Sequence, residues 1–457
     1  MKNFDLMPTK ENLIDALQKN AIGRNNDLAY FYELLLAQEG ASSIAIDGRW
    51  GSGKTFFIKQ AELLINAKNP VCNMDEEERR RILQFISIEK DEEMQENCEL
   101  AIYYDAWEND NDIDPIMSIV YEIAKQLSMN YIFEPECNLL KTAGSIIEAV
   151  SGKSVSGILE SLRSTTAFSA FKEQKEIHEK LKDFFSEILL ERANRLVIFV
   201  DELDRCKPSY AVQVLERIKH YFCDERITFV FAVNIEELQH TIKNQYGNEF
   251  NACRYLDRFF DIRVSLPPAE INGLYNKLGL ASNDIVGEVY KRVITVYHFE
   301  LREITRYYRL VRTAMHSVIY EIKKVNFAFA DGNGKQLILY HIVPLMIGLK
   351  IVDISLYHEF ISGKNPKPLF DVYLRSKLED YFMPWLLNKN ESYQAEAGKK
   401  LVSKEDKLSS LYHAIFVMEY SAVNYRKIIG EYQFNKKSKE YALRIASMLS
   451  EYADYQI

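Results

Sequence analysis

Five short strand-like stretches, at 42–47, 100–104, 196–200, 227–233 and 261–266, punctuate this chain, and most segments between them space their apolar residues by three and four. Apolar runs bounded by turn residues mark strands buried on both faces, and the longer spacing marks helices that bury one side. The runs at 196–200 and 227–233 are almost wholly Val, Ile, Leu and Phe. Alternation of this kind predicts an α/β domain on a parallel sheet of about five core strands. Leu13, Leu17, Ile22, Leu28, Tyr32 and Leu35 predict two short helices ahead of the first strand, with Gly40 where the second stops. Phe56, Phe57, Ile58, Leu63, Leu64 and Ile65 continue as a helix after it. A helical insert is expected over about 108–190, with Ile116, Ile119, Val120, Ile123, Ala124 and Leu127 on one face and a Ser- and Gly-rich middle at 142–170.

Highly charged residues at 70–98 surround a strand-like core at 85–88, so a surface hairpin or excursion is expected there. Pro208 starts a helix carrying Val212, Leu215, Ile218, Tyr221 and Phe222. Pro267-Pro268 marks a domain boundary, and the chain beyond it reads as almost wholly helical. The organisation expected is a core at 1–268, a helical lid at 269–355 and a helical C-terminal region at 356–457.

The 457 residues, 47% of them apolar, can fill a sizeable core. Acidic residues outnumber basic ones by 66 to 57 for a net charge of −9, which argues against a chain-wide grip on nucleic acid and leaves room only for a local basic patch. The six cysteines form no C-x-x-C pair, so neither a zinc site nor a disulfide framework is expected. The opening residues mix charges and lack an apolar core of signal-peptide length, and the longest apolar-leaning stretch, 337–352, contains His341, Pro344 and Lys350. A cytoplasmic protein with a buried helix at 337–352 and no transmembrane segment is the expectation.

Chemistry enters directly after the first strand. Gly48-Arg49-Trp50-Gly51-Ser52-Gly53-Lys54-Thr55 fits the G-x-x-x-x-G-K-[ST] phosphate-binding pattern, in the strand, loop and helix order that gives the pattern meaning. Glycines let the backbone approach phosphate oxygens, the helix start supplies free N–H groups, Lys54 reaches the β and γ phosphates, and Thr55 ligates magnesium. The run at 196–200 ends in Asp201-Glu202-Leu203-Asp204-Arg205. Adjacent carboxylates at such a tip assign Asp201 to the magnesium shell and Glu202 either to polarising the attacking water or to a structural ion pair. Asn234, ending the next strand, would sense the γ-phosphate or cap the following helix. Arg258 would reach a neighbouring protomer's nucleotide or form a surface ion pair. Arg302, Arg306, Arg309 and Arg312 share one helix face, which would close over phosphates, contact nucleic acid or be solvated.

Together these residues resemble the KAP family of P-loop NTPases, relatives of the AAA+ and STAND ATPases. Tyr104-Asp105-Ala106-Trp107 is similar to that family's aromatic-Asn-Ala-Trp strand end, 200–205 to its D-[DE]-L-D-R motif, and 255–267 to its [YF]-L-[DEK]-[KR]-[FI] segment closing in S-L-P. Asp105 departs from the usual Asn. By analogy with AAA+ proteins the resemblance implies that Asn234 is a first sensor, Arg258 an arginine finger and Arg302 the arginine of a second sensor helix. Many family members carry two transmembrane helices in the insert, but Lys141, Glu148, Lys153, Glu160 and Arg163 are scattered through it here.

The resulting expectation is an ATP- and Mg2+-dependent switch that oligomerises and relays its nucleotide state to a separate effector protein; bacterial members of the family resemble antiphage defence components. Adenine is preferred because no [NT]-K-x-D guanine-reading motif occurs. The alternatives are an ATP-loaded scaffold that scarcely hydrolyses, and a DNA-dependent motor using the arginine stripe.

Overall fold

In the computed structural model, residues 7–38, 40–84, 98–130, 143–146, 167–189, 193–222, 224–278, 280, 285–322, 332–421 and 425–447 are described. They divide into two compact units, within 7–273 and within 274–447.

The first unit is built on one five-stranded parallel sheet: β1 (Ser42–Asp47), β2 (Glu99–Asp105), β3 (Arg195–Asp201), β4 (Ile227–Val233) and β5 (Ile262–Ser265), ordered β2-β3-β4-β1-β5. All five strands lie where the apolar runs place them. Every residue of β4 is buried, as is β3 after Arg195, which is why neither shows an alternating polar face. Successive side chains point to opposite sides of the sheet. On one side Ile102, Val200, Phe229 and Phe231 meet Ile119, Val120, Phe184 and Leu215, and on the other Ile44, Val197, Phe199 and Val230 meet Leu17, Phe31, Ile58 and Leu64.

Register determines where the chemistry sits. Asp105 pairs with Asp201, Asp201 with Ala232, and Asp47 with both Val233 and Ser265. The C-terminal ends of the strands therefore finish level. Gly48, Ala106, Glu202 and Asn234 all emerge at one edge, where ligands of open parallel sheets bind.

The charged segment expected to be a hairpin or excursion instead contains a helix, Glu76–Leu83. Asp75 caps it, accepting from the backbone N–H of Glu77 (2.9 Å) and Glu78 (3.2 Å), while three glutamates in the first turn and two arginines in the last suit the helix dipole. The strand-like core at 85–88 lies outside the described residues. So does the middle of the insert, 147–166; its described flanks, Pro115–Asn130 and Ala167–Leu189, are helical.

The second unit is mainly helical. Its central helical segment, Gly334–Val352, is the only one among the described residues long and apolar enough by composition to span a membrane, and 61% of its apolar window is buried inside the protein. Gly348 lets this helix approach its neighbour closely, since a Cβ there would stand 2.5 Å from Val293 Cγ1. Two small strand pairs, β6 (Glu391–Ser392) with β7 (Lys400–Leu401) and β8 (Lys427–Ile429) with β9 (Tyr432–Phe434), interrupt the expected run of helices. Residues 430–431 form the tight link between β8 and β9, with Gly430 at φ 55°, a turn too short to register against the surrounding helical spacing.

Within this unit His341 shares a 2.8 Å hydrogen bond with the Tyr373 hydroxyl and stacks on Phe382. Burial pushes its imidazole down to about 4. The folded chain thus keeps His341 neutral where an unfolded one protonates it near 6.5. Its contribution to stability is complete above pH 6.5 and lost as the pH falls toward 4. Thermal unfolding should show this as about 2–3 kcal/mol of acid destabilisation that His341→Phe removes; parallel pH profiles for the two chains would contradict it.

Candidate nucleotide site

The loop after β1 is shaped by its glycines. Gly51 and Gly53 adopt φ of 82° and 94°, the left-handed region that side chains avoid, and Gly48 N–H donates to Val233 O at 3.2 Å, fastening the loop to the tip of β4. A Cβ on Gly48 would stand 2.9 Å from Ser52 Oγ. The helix Lys54–Lys68 begins at once behind Gly53, with no side chain capping its first turn. Ser52 Oγ is buried and has no hydrogen-bond partner among the described residues. An uncapped helix start, a backbone that bulkier residues would block and a buried hydroxyl seeking a partner together fit a phosphate group.

Lys54 is buried, and its ammonium donates to Gly48 O (2.6 Å) and Arg49 O (3.3 Å). Burial lowers its pKa, opposed by the negative charges of Asp204, Asp201, Glu202 and Asp47. An anion above the loop would therefore meet a desolvated cation.

Asp201, only 1% exposed, joins the loop to the tip of β3. It accepts from the Tyr103 hydroxyl at 3.0 Å and from Glu202 N–H at 3.0 Å. Burial raises its pKa, and the Thr55 hydroxyl, the Tyr103 hydroxyl and the Glu202 N–H oppose the rise. No group of three or more His, Cys, Asp or Glu among the described residues could hold a metal. Thr55 beside Asp201 nevertheless fits a Mg2+ ion, which characteristically takes one or two protein oxygens and completes its shell with phosphates and water.

Asp105, at the tip of β2, accepts from Trp107 N–H and Glu108 N–H, both at 3.0 Å, so its carboxylate shapes the turn that follows. An Asn side-chain oxygen could accept the same two bonds, which explains how Asp is tolerated where the family usually has Asn. Behind this turn the buried hydroxyls of Tyr104 and Tyr210 meet at 2.7 Å, and Tyr104 also donates to Ser118 at 3.0 Å.

Glu202 takes a left-handed conformation at φ 58°. Burial first, then the charge of Asp201, raises its carboxyl to about 7, with Arg205 opposing. Glu202 forms an ion pair with Arg205, whose guanidinium lies over the Trp50 ring at 5.9 Å and the Trp107 ring at 5.5 Å. Trp50 Nε1 donates to Asp204 Oδ2 at 2.5 Å. Sequence reasoning placed Trp50 in the loop and Asp204 and Arg205 in the strand motif, but not their contact across the site.

The remaining sequence-predicted residues fall into two groups. Asn234 stands at the tip of β4, beside β3, and its side-chain oxygen caps the next helix by accepting from Glu237 N–H at 3.4 Å. Arg258 is exposed in the same unit and makes no ion pair among the described residues; the neighbouring pair is Asp257 with Arg263. Arg302 belongs to the second unit, on the helix Leu301–Ile322, where Arg302, Arg306, Arg309 and Arg312 are all exposed and Leu301, Ile304, Tyr307 and Val311 are buried.

One residue was missed altogether. Arg24 is buried, donates from Nη1 to Ser52 O at 2.9 Å and from Nη2 to Pro267 O, and so ties the phosphate loop to the chain leaving β5. Nothing in its local sequence pairs it with a loop 28 positions away.

The model of the family described as the KAP family P-loop domain matches residues 24–322. No curated protein matches the chain.

Proposed function

The chain belongs to the KAP family of P-loop domains, a family of nucleotide-binding NTPases, and from that premise we propose that it is an ATP-hydrolysing molecular switch. The observation that carries the proposal is the joining of the phosphate loop to the strand tips, Gly48 N–H to Val233 O at 3.2 Å and Trp50 Nε1 to Asp204 Oδ2 at 2.5 Å, which brings the loop and the β3 carboxylates into one site. The backbone N–H groups of 51–55 and the Lys54 ammonium bind the phosphates. Thr55 and Asp201 would hold Mg2+, which when bound neutralises charge on the transferring phosphate. Glu202 orients and deprotonates the attacking water, and the Asn234 amide nitrogen, which the helix cap leaves available, senses the γ-phosphate.

Arg258 acts across an interface between copies of this chain. The exposure of Arg258, and its lack of an ion pair among the described residues, support that role. The effector is a separate protein, and a place in antiphage defence rests on the family resemblance. Gel filtration with a non-hydrolysable ATP analogue should shift both the chain and Arg258→Ala to an oligomer, while with ATP in its place phosphate release by Arg258→Ala should fall by roughly 10³-fold. A monomer in both conditions removes the role across an interface. ATP binding without phosphate release would make the protein an ATP-loaded scaffold instead.

A further inference from the structure

Resting on the reading of Glu202 as the base, we propose that Arg205 is a positioning residue that withholds Glu202 from water until the loop carrying Trp50 closes on phosphate. Three observations converge. The Glu202 carboxylate is engaged by Arg205, not directed at an open site. The Arg205 guanidinium lies over two indole rings, one from the phosphate loop and one from the turn after β2. Trp50 is also bonded to Asp204, so the phosphate loop grips the very segment that carries Glu202.

Both rings are about half exposed, Trp50 at 45% and Trp107 at 52%, which is costly for indoles unless something else holds them. A planar guanidinium between them supplies that hold through cation–π attraction, which a lysine would not reproduce. Glu202 is itself kept in a left-handed conformation that an ordinary side chain leaves readily, so the arrangement is poised to be undone. Any movement of Trp50 as the loop takes up phosphate loosens the stack, frees Arg205 and releases the carboxylate. Binding is thereby coupled to arming the base through three side chains.

The test uses the full chain. Arg205→Gln should raise the single-turnover rate of ATP hydrolysis by roughly five- to tenfold with the nucleotide Kd unchanged, because breaking an ion pair and two ring contacts removes the restraint. A merely structural arginine would lower the rate, and an unchanged or lower rate overturns the proposal. If that variant does not fold, Trp107→Ala removes one ring and should raise the rate by roughly two- to threefold; no rise is again a refutation.

A second readout needs no turnover. The chain has three tryptophans, so in a Trp385→Phe background excited selectively at the indole, the signal comes from Trp50 and Trp107. Adding a non-hydrolysable ATP analogue should change their emission, and Arg205→Gln should shift the nucleotide-free spectrum toward the bound one. Analogue binding with unaltered emission refutes the restraint and leaves the proposed function standing. A chain that binds no analogue refutes both.

Discussion

Glu202→Gln should cut ATP turnover by roughly 10²- to 10³-fold while nucleotide affinity stays within about threefold. Gln matches Glu in size and still offers an oxygen to Arg205, so the strand tip and the Asp201 network should survive. What disappears is the proton acceptor. Burial and the neighbouring Asp201 hold the Glu202 carboxyl near 7, a range in which a group both gains and loses a proton at neutral pH. The measurement is phosphate release in single turnover beside a direct binding titration. Turnover unchanged in the variant would remove Glu202 from the chemistry and leave its contact with Arg205 a structural ion pair.

The parallel sheet was legible because its strands are bounded apolar runs, and β3 and β4 need no polar face when both sides are covered. The positions of Asp47, Asp201 and Asn234 then follow from register: parallel strands of similar length that finish level bring their next residues together. Thr55 meeting Asp201 is the consequence, although 146 positions separate them in sequence. Other features depended on contacts between distant segments and left no periodic mark. Arg24 reaches Ser52 and Pro267 only because two helices and a strand fold it there. The Trp50–Arg205–Trp107 stack likewise has no spacing rule.

Charge density at 70–98 masked the helix Glu76–Leu83, whose signal was a capping Asp75 and a charge order matched to the dipole, not an apolar stripe. The spacing of apolar residues in the second unit hid its strand pairs, which are only two or three residues long. Asn234 was open between a sensor and a cap; its oxygen caps the helix, and only its amide nitrogen remains for the proposed role.

Lys54→Met should abolish measurable nucleotide binding, at least a 10²-fold loss, with little change in melting temperature. The two halves of this expectation rest on different physics. Affinity collapses because a buried ammonium beside an uncapped helix start is the group best placed to meet the β and γ phosphates, and charge-assisted bonds of that kind are about twice as strong as neutral ones. Stability is spared because without an anion the same burial opposes the charge, lowering the Lys54 pKa, while Met keeps the stem's packing. The Gly48 and Arg49 carbonyls that the ammonium now satisfies can turn to water in the open loop. Calorimetric titration with Mg-ATP and a thermal melt of the same preparation separate the two. Retained binding would sink the site, whereas binding lost together with a collapsed melt would make Lys54 a structural residue of the loop. Glu202→Gln must keep the affinity that Lys54→Met removes if the loop binds and the β3 tip hydrolyses.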